Sequence, residues 1–304
     1  MHSPTAAAVP RTAAPLPGLL LASLGAVAFS GKAIIVKLAY RHGVDAVTLI
    51  MFRMLFALPL FLALAWWAGR GKPPLARRDW LAVLGLGFTG YYLASFLDFA
   101  GLAYVSASFE RLVLYLNPTL VLLLGWVLFK RRVGARQLLA LAVSYAGVLL
   151  VFGHELTLEG PDVTLGAALV FGSALSYAVY LVYSGEEVKR LGSLRLTGLA
   201  TSVACVLCIA QFLLLRPLSA ATEVAHPVIW LSLLNATACT FAPVLMVMMA
   251  IERIGSTLAA QTGMIGPMST ILMGVLILGE PFTAWVAAGT ALVLAGIWLL
   301  ARWR

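Results

Sequence analysis

Asp98 to Pro118 reads DFAGLAYVSASFERLVLYLNP. The stretch lies inside a long, nearly continuous apolar run. Yet it carries Asp98, Glu110 and Arg111, and Asn117-Pro118 follows within two helical turns of Glu110. A charge at membrane depth costs roughly 2.5–3.5 kcal/mol on insertion scales, so such residues are rare and face a cavity or a partner. A diverged copy of the stretch begins 149 positions later, at Val247 to Pro267, and lacks those charges.

The composition around it leaves one class of protein. Hydrophobic residues make up 62% of the 304 and charged residues 11%; the mean hydropathy is +0.98. No water-soluble core needs so much apolar sequence, and many runs exceed the ~18 residues that mark a spanning helix. The short alternating segments of a membrane β-barrel are absent. Ten apolar runs follow one another at about 17–39, 46–68, 80–101, 104–129, 135–153, 164–184, 195–215, 227–250, 256–279 and 283–301, most of them near the ~20 residues a bilayer requires. The expectation is an all-α membrane protein of ten transmembrane helices. Residues 1–15, rich in Ala and Pro, read as a disordered tail rather than a cleaved leader.

Lysine and arginine orient the chain. Fifteen fall on one face, among them Arg70, Lys72, Arg77, Arg78 and Lys130-Arg131-Arg132, against Arg41 and Arg216 on the other. This places both termini in the cytoplasm of a cell inner membrane. It also makes the formal +9 charge a topology signal, not a nucleic-acid footprint. Cys205 and Cys208 form a CxxC, but within a helix they read as two small apolar residues on one face. The four histidines do not cluster. No metal-ligand spacing, phosphate-cradling loop or nucleophile motif is present, so neither an enzyme, a metal nor a cofactor is expected.

The offset of 149 aligns Gly101–Gly147 with Ala250–Gly296 without a gap: Pro118 meets Pro267, Gly125 meets Gly274, Gly147 meets Gly296. The unit holds five spans, and an odd number inserts the two halves in opposite orientations. The expected architecture is two inverted five-helix repeats, 16–153 and 154–304, around a central cavity. Pro118 and Pro267 each fall near mid-span and leave the carbonyl four residues back, of Leu114 and Gly263, without its usual donor. Broken helices at matching positions point to a transport site, or to a packing kink.

With these residues in view, the sequence resembles the EamA group of the drug/metabolite transporter superfamily. The resemblance covers nearly the whole chain. It rests on the five-plus-five repeat, Pro118 and Pro267, Leu278-Gly279-Glu280-Pro281 after the ninth span, Lys37 in the first span and Arg53 in the second. It implies ten helices, a cavity between the halves lined by spans 1, 3, 4, 6, 8 and 9, peripheral spans 5 and 10, and passage of small metabolites by alternating access. One departure stands out. The fourth span should end in its own Gly-Glu but reads Phe129-Lys130-Arg131-Arg132. Glu280 is also odd physically, since a carboxylate at a helix C-terminus is unfavourable unless paired or capping a neighbour.

By helical rise, Lys32, Arg53, Asp98, Glu110 and Arg111 share one layer in the outer half of the membrane, while Lys37 is close enough to the end to snorkel. Tyr91, Ser95 and Asp98 share a face, as do Glu110 and Asn117. These residues are either a buried structural network or a transport site in which a carboxylate carries a coupling proton and a cation holds an anionic substrate group. The second half offers neutral groups: Tyr177 and Tyr180, which read equally as core aromatics, Asn235, Thr240 and Gln261. The cation surplus points to a substrate with a carboxylate, an amino acid or organic acid, with export favoured. The rivals are a nucleotide-sugar or phosphate-ester exchanger and a non-transporting sensor or scaffold. The expected partners are a small-molecule substrate, protons and the lipid bilayer. Nothing in the sequence sets the oligomeric state.

Overall fold

A computed structural model describes residues 15–130, 134–159, 162–263 and 265–302. The expected tail, apart from Pro15, and Arg131-Arg132 lie outside them. The chain runs as α1 (Pro15–Tyr40), α2 (Ala46–Gly69), α3 (Arg77–Gly101), α4 (Ala107–Leu114), α5 (Asn117–Phe129), α6 (Ala135–Glu159), α7 (Asp162–Leu191), α8 (Ser193–Leu215), α9 (His226–Ala236), α10 (Ala242–Gly263), α11 (Ile265–Met273) and α12 (Ala284–Arg302). Among the described residues, eight helical stretches are long and apolar enough to cross a membrane. Two shorter apolar helices, Met268–Leu278 and Ala284–Leu299, occupy the last two expected spans.

The helices are apolar on nearly all sides, as a bilayer demands. Leu214, Leu276 and Val127 are exposed, and exposed tryptophans stand near helix ends: Trp66, Trp67, Trp80, Trp126 and Trp298 toward the basic end, Trp230 and Trp285 toward the other. Packing runs between the halves. α1 lies against α10 and α11, α7 against α3 and α5; α2 pairs with α8, and α6 with α12. The α6–α12 crossing is close because Gly147 and Gly289 meet there: a Cβ on Gly147 would lie 2.6 Å from the Gly289 carbonyl oxygen.

Three backbone features follow the offset of 149. Gly87–Leu93 inside α3 and Thr237–Phe241 between α9 and α10 are both π-helical, and the offset carries Phe88–Tyr92 onto Thr237–Phe241. Such wide turns free carbonyls from the regular ladder and concentrate at functional sites. The N–H of Lys130 donates to the Gly125 carbonyl, and the N–H of Gly279 to that of Gly274. Both residues are left-handed, Lys130 at φ 51 and Gly279 at φ 76. Lys130 thus holds a backbone conformation suited to the glycine that the family pattern leads one to expect.

Pro118 does not kink a continuous helix. α4 ends at Leu114, α5 begins at Asn117, and Pro118 sits in the first turn of α5, where its missing N–H is harmless. The Leu114 carbonyl is satisfied locally: Asn117 Nδ2 donates to it at 2.7 Å. Pro267 lies two residues after the start of the described segment Ile265–Met273, which follows Gly263 with only residue 264 outside the described residues.

Candidate functional site

Three helices of the first half converge their charges. Lys32 on α1 places Nζ 2.5 Å from Asp98 Oδ2 on α3 and 3.8 Å from Glu110 Oε1 on α4. Arg111 Nε stands 3.9 Å from Glu110 Oε2, and its Nη2 donates to the Phe29 carbonyl at 3.5 Å. Glu110 is 0% exposed and Asp98 1%. Both Glu110 oxygens and Asp98 Oδ1 lack a hydrogen-bond partner among the described residues. Two buried carboxylates therefore address one ammonium, and one of them is held only by ion contacts too long for a hydrogen bond.

Arg53 on α2 stands apart from these pairs. Its Nη2 donates to Ser95 Oγ at 3.4 Å, and its guanidinium lies 4.9 Å from the centroid of the Phe99 ring. The other expected residues separate. Tyr91 shares a hydrogen bond of 3.1 Å with Tyr180, whose ring stacks on Tyr177 at 5.4 Å, inside an apolar cluster with Val83, Leu86 and Leu196. The tyrosines form a separate group, so the α3 face containing Tyr91, Ser95 and Asp98 serves three different sets of partners. Asn117 lies beyond the turn at Tyr115–Leu116 and spends its Nδ2 on the Leu114 carbonyl, with no bond to Glu110 among the described residues. Asn235 is 1% exposed, its Oδ1 has no hydrogen-bond partner among the described residues, and its carbonyl accepts from Thr240 Oγ1 at 2.8 Å. The Gln261 side chain lies outside the described residues.

The cluster is closed at the end away from the basic loops. Lys37 does not snorkel: its Nζ donates to the Val105 carbonyl at 3.0 Å. Tyr40 donates to the Phe99 carbonyl, and Arg41 Nη2 to that of Leu278 at 2.7 Å. Glu280 finds its role here. Its carboxylate accepts from Ala107 N (2.7 Å), Ser108 N (3.2 Å) and Ser108 Oγ (2.7 Å), capping α4 three residues before Glu110. An anion at a helix N-terminus meets free N–H groups and the positive end of the dipole. The void beside it, bounded by Ser106, His154 and Thr283, measures about 10 Å³, room for a water at most. A larger cavity of about 440 Å³ lies nearer the basic end, between α2, α8 and α10. Leu64, Trp67, Leu194, Phe241 and Leu245 line it, and none of the clustered charges does.

Sequence reading missed two contributors and the partner of a third. Phe99 beneath Arg53 was one more apolar residue in an apolar run. Ser30, whose Oγ donates to the Gly266 carbonyl at 2.7 Å across the two halves, carried no signal. The acceptor role of Glu280 depends on a helix 172 positions away.

The profile of the EamA-like transporter family matches residues 16–153 and again 164–302. The chain belongs to the EamA-like transporter family. An uncharacterized transporter of Bacillus subtilis, YcbK, is 31% identical over 282 residues, covering 86% of each chain. An uncharacterized transporter of Archaeoglobus fulgidus is 25% identical, covering 92% of this chain and 96% of its own. A solved structure titled only as a protein crystal structure shares the fold at a TM-score of 0.61 and 18% identity, covering 94% of this chain. Membership of this family makes the protein a multi-pass membrane transporter.

Proposed function

We propose that this family member is a secondary transporter of ten membrane helices, arranged as two inverted five-helix repeats (16–153 and 154–304), working by alternating access. Its substrate is a small polar metabolite bearing a carboxylate, an amino acid or organic acid, with export favoured and transport coupled to protons. The matched packing of the halves and the paired π-helical segments support the repeat. The excess of Lys and Arg on one face supports cytoplasmic termini in an inner membrane.

One observation carries the coupling: Asp98 and Glu110, both buried, share the single ammonium of Lys32. With Lys32 drawn away, Asp98 keeps no cation at ion-pair distance among the described residues and Glu110 only Arg111 at 3.9 Å, so a dry site favours protonating one of the two carboxyls. Opening the α1–α3–α4 contact to one side lets a carboxyl load a proton; closing it again around Lys32 releases one. Lys32 and Arg111 each face a carboxylate, which argues against a phosphate-ester exchanger, since that needs several cations turned to the ligand.

The test is proton-driven flux in proteoliposomes. Asp98→Asn and Glu110→Gln should abolish pH-gradient-driven uptake of a metabolite panel while the protein still purifies as a folded monodisperse species. Wild-type rates in either folded variant would remove that carboxylate from coupling and leave the cluster as a structural network.

A further inference from the structure

The buried charges of the first half do not balance evenly. Asp98 and Glu110 are matched by Lys32 and Arg111. Arg53 is not matched: among the described residues no carboxylate comes within ion-pair distance of it. Its Nε and Nη1 are buried without an acceptor, and the residue is 4% exposed. A guanidinium cannot shed its proton as a lysine can, so burial leaves its charge standing. Around it are the Phe99 ring and the Ser95 hydroxyl and, within electrostatic reach but beyond ion-pair distance, the Asp98 carboxylate and the thiols of Cys205 and Cys208 on α8 and Cys239 in the π-helical segment before α10. Apart from Asp98, which is already paired with Lys32, the surroundings are largely apolar and drawn from both halves of the chain.

We propose that Arg53 is the anion subsite of the transport path, separate from the Lys32–Asp98–Glu110–Arg111 cluster, and that it takes a monoanionic carboxylate whose apolar body rests against Phe99 and the three cysteines. This rests on the transporter reading above. A carboxylate oxygen supplies an acceptor to a donor that now lacks one, Nε or Nη1, in the charge-assisted hydrogen bond a guanidinium favours. A single fixed cation matches a single negative charge, whereas a dianionic phosphate would bring uncompensated charge into the same buried surroundings. The subsite is also divided: Arg53 and Phe99 come from the first half and the cysteines from the second, so movement of the halves breaks or completes it. Lys32, tied to Asp98, is then a coupling residue rather than a substrate anchor.

The experiment uses full-length protein in lipid nanodiscs at constant ionic strength in sulfate. Two readouts are followed: the unfolding temperature, and labelling of the native cysteines by N-ethylmaleimide. The probes are acetate, butyrate, phenylacetate, chloride and inorganic phosphate. Butyrate and phenylacetate should raise the unfolding temperature saturably, by several degrees, and slow labelling several-fold, with acetate weaker. Arg53→Met should lose both responses while unfolding no earlier than the wild type without ligand, because it removes an unmatched buried charge. Arg53→Gln gives a second polar replacement should the methionine variant fold poorly.

An Arg53→Met protein that unfolds earlier yet responds undiminished would overturn the proposal. So would a wild type that answers chloride or phosphate as strongly as the carboxylates, or answers none of them. Failure of the transporter reading looks different: carboxylates bind through Arg53, but none crosses proteoliposomes containing the wild type. Flux that depends on Asp98 and is indifferent to Arg53 sinks the subsite alone.

Discussion

The two halves share a scaffold and differ in chemistry. Both carry a π-helical segment at the matching position, a proline at the equivalent place in the next span (Pro118 and Pro267), and a left-handed residue closing that span. Among the described residues, the mid-bundle cluster of charges comes from the first half. Val247 stands at the position equivalent to Asp98, and Ala259 at that of Glu110. Glycines, prolines and π-turns set how helices cross and where they break, and those demands bear on both copies. Charges are expensive at membrane depth, and one matched set suffices for one site. Duplicating them would add desolvation without adding a function.

The sharpest way to break this comparison is to unbalance the charged half. Lys32→Met leaves Asp98 and Glu110 without their common cation and should destabilise the protein by about 3–5 kcal/mol. Adding Asp98→Leu should recover much of that stability in a denaturation series without restoring transport. If the double variant transports, the cluster is not the coupling site.

Next in size is the link between the halves at the closed end. Glu280→Ala strips three hydrogen bonds from the start of α4 and should cost about 2 kcal/mol. Hydrogen exchange should rise first at Ala107 and Ser108. An unchanged exchange pattern there would mean the cap is dispensable.

Smaller still is the mismatch between Lys130 and Gly279. Lys130→Gly should stabilise by about 1 kcal/mol, since only glycine adopts a positive φ freely, and the reciprocal Gly279→Lys should destabilise by about 1–2 kcal/mol. A Lys130→Gly variant that is destabilised would mean that the two helix ends are not equivalent.

The smallest effect tests a cap in the first half alone. Asp45 accepts from Val47 N, Thr48 N and Thr48 Oγ1 at the start of α2 and lies 3.2 Å from Arg216. Burial pushes its carboxyl upward, but the Thr48 hydrogen bonds and Arg216 outweigh that and hold it below the ordinary 3.8. Its contribution is therefore present above that value and fades as pH falls through the lowered one. Asp45→Ala should cost up to about 1 kcal/mol at neutral pH, and the difference from wild type should shrink under acid. A constant difference across that range would mean the carboxylate charge does not contribute.

Much of this was legible in the chain itself. Run lengths and hydropathy determined an all-helical membrane protein, because a bilayer imposes one length and one polarity on whatever crosses it. Clustering of Lys32, Asp98, Glu110 and Arg111 could be anticipated, since buried charges require partners. Which charge met which was not legible. Lys32 takes Asp98, Arg53 is left unmatched, Tyr91 goes to Tyr180, and Glu280 caps a helix on the far side of the sequence. Helical periodicity assigns a residue to a face; it carries no information on the rotation and depth of the helix packed against that face. Those are fixed by side-chain fit across α1, α3, α4 and α8, and only the tertiary structure decides them.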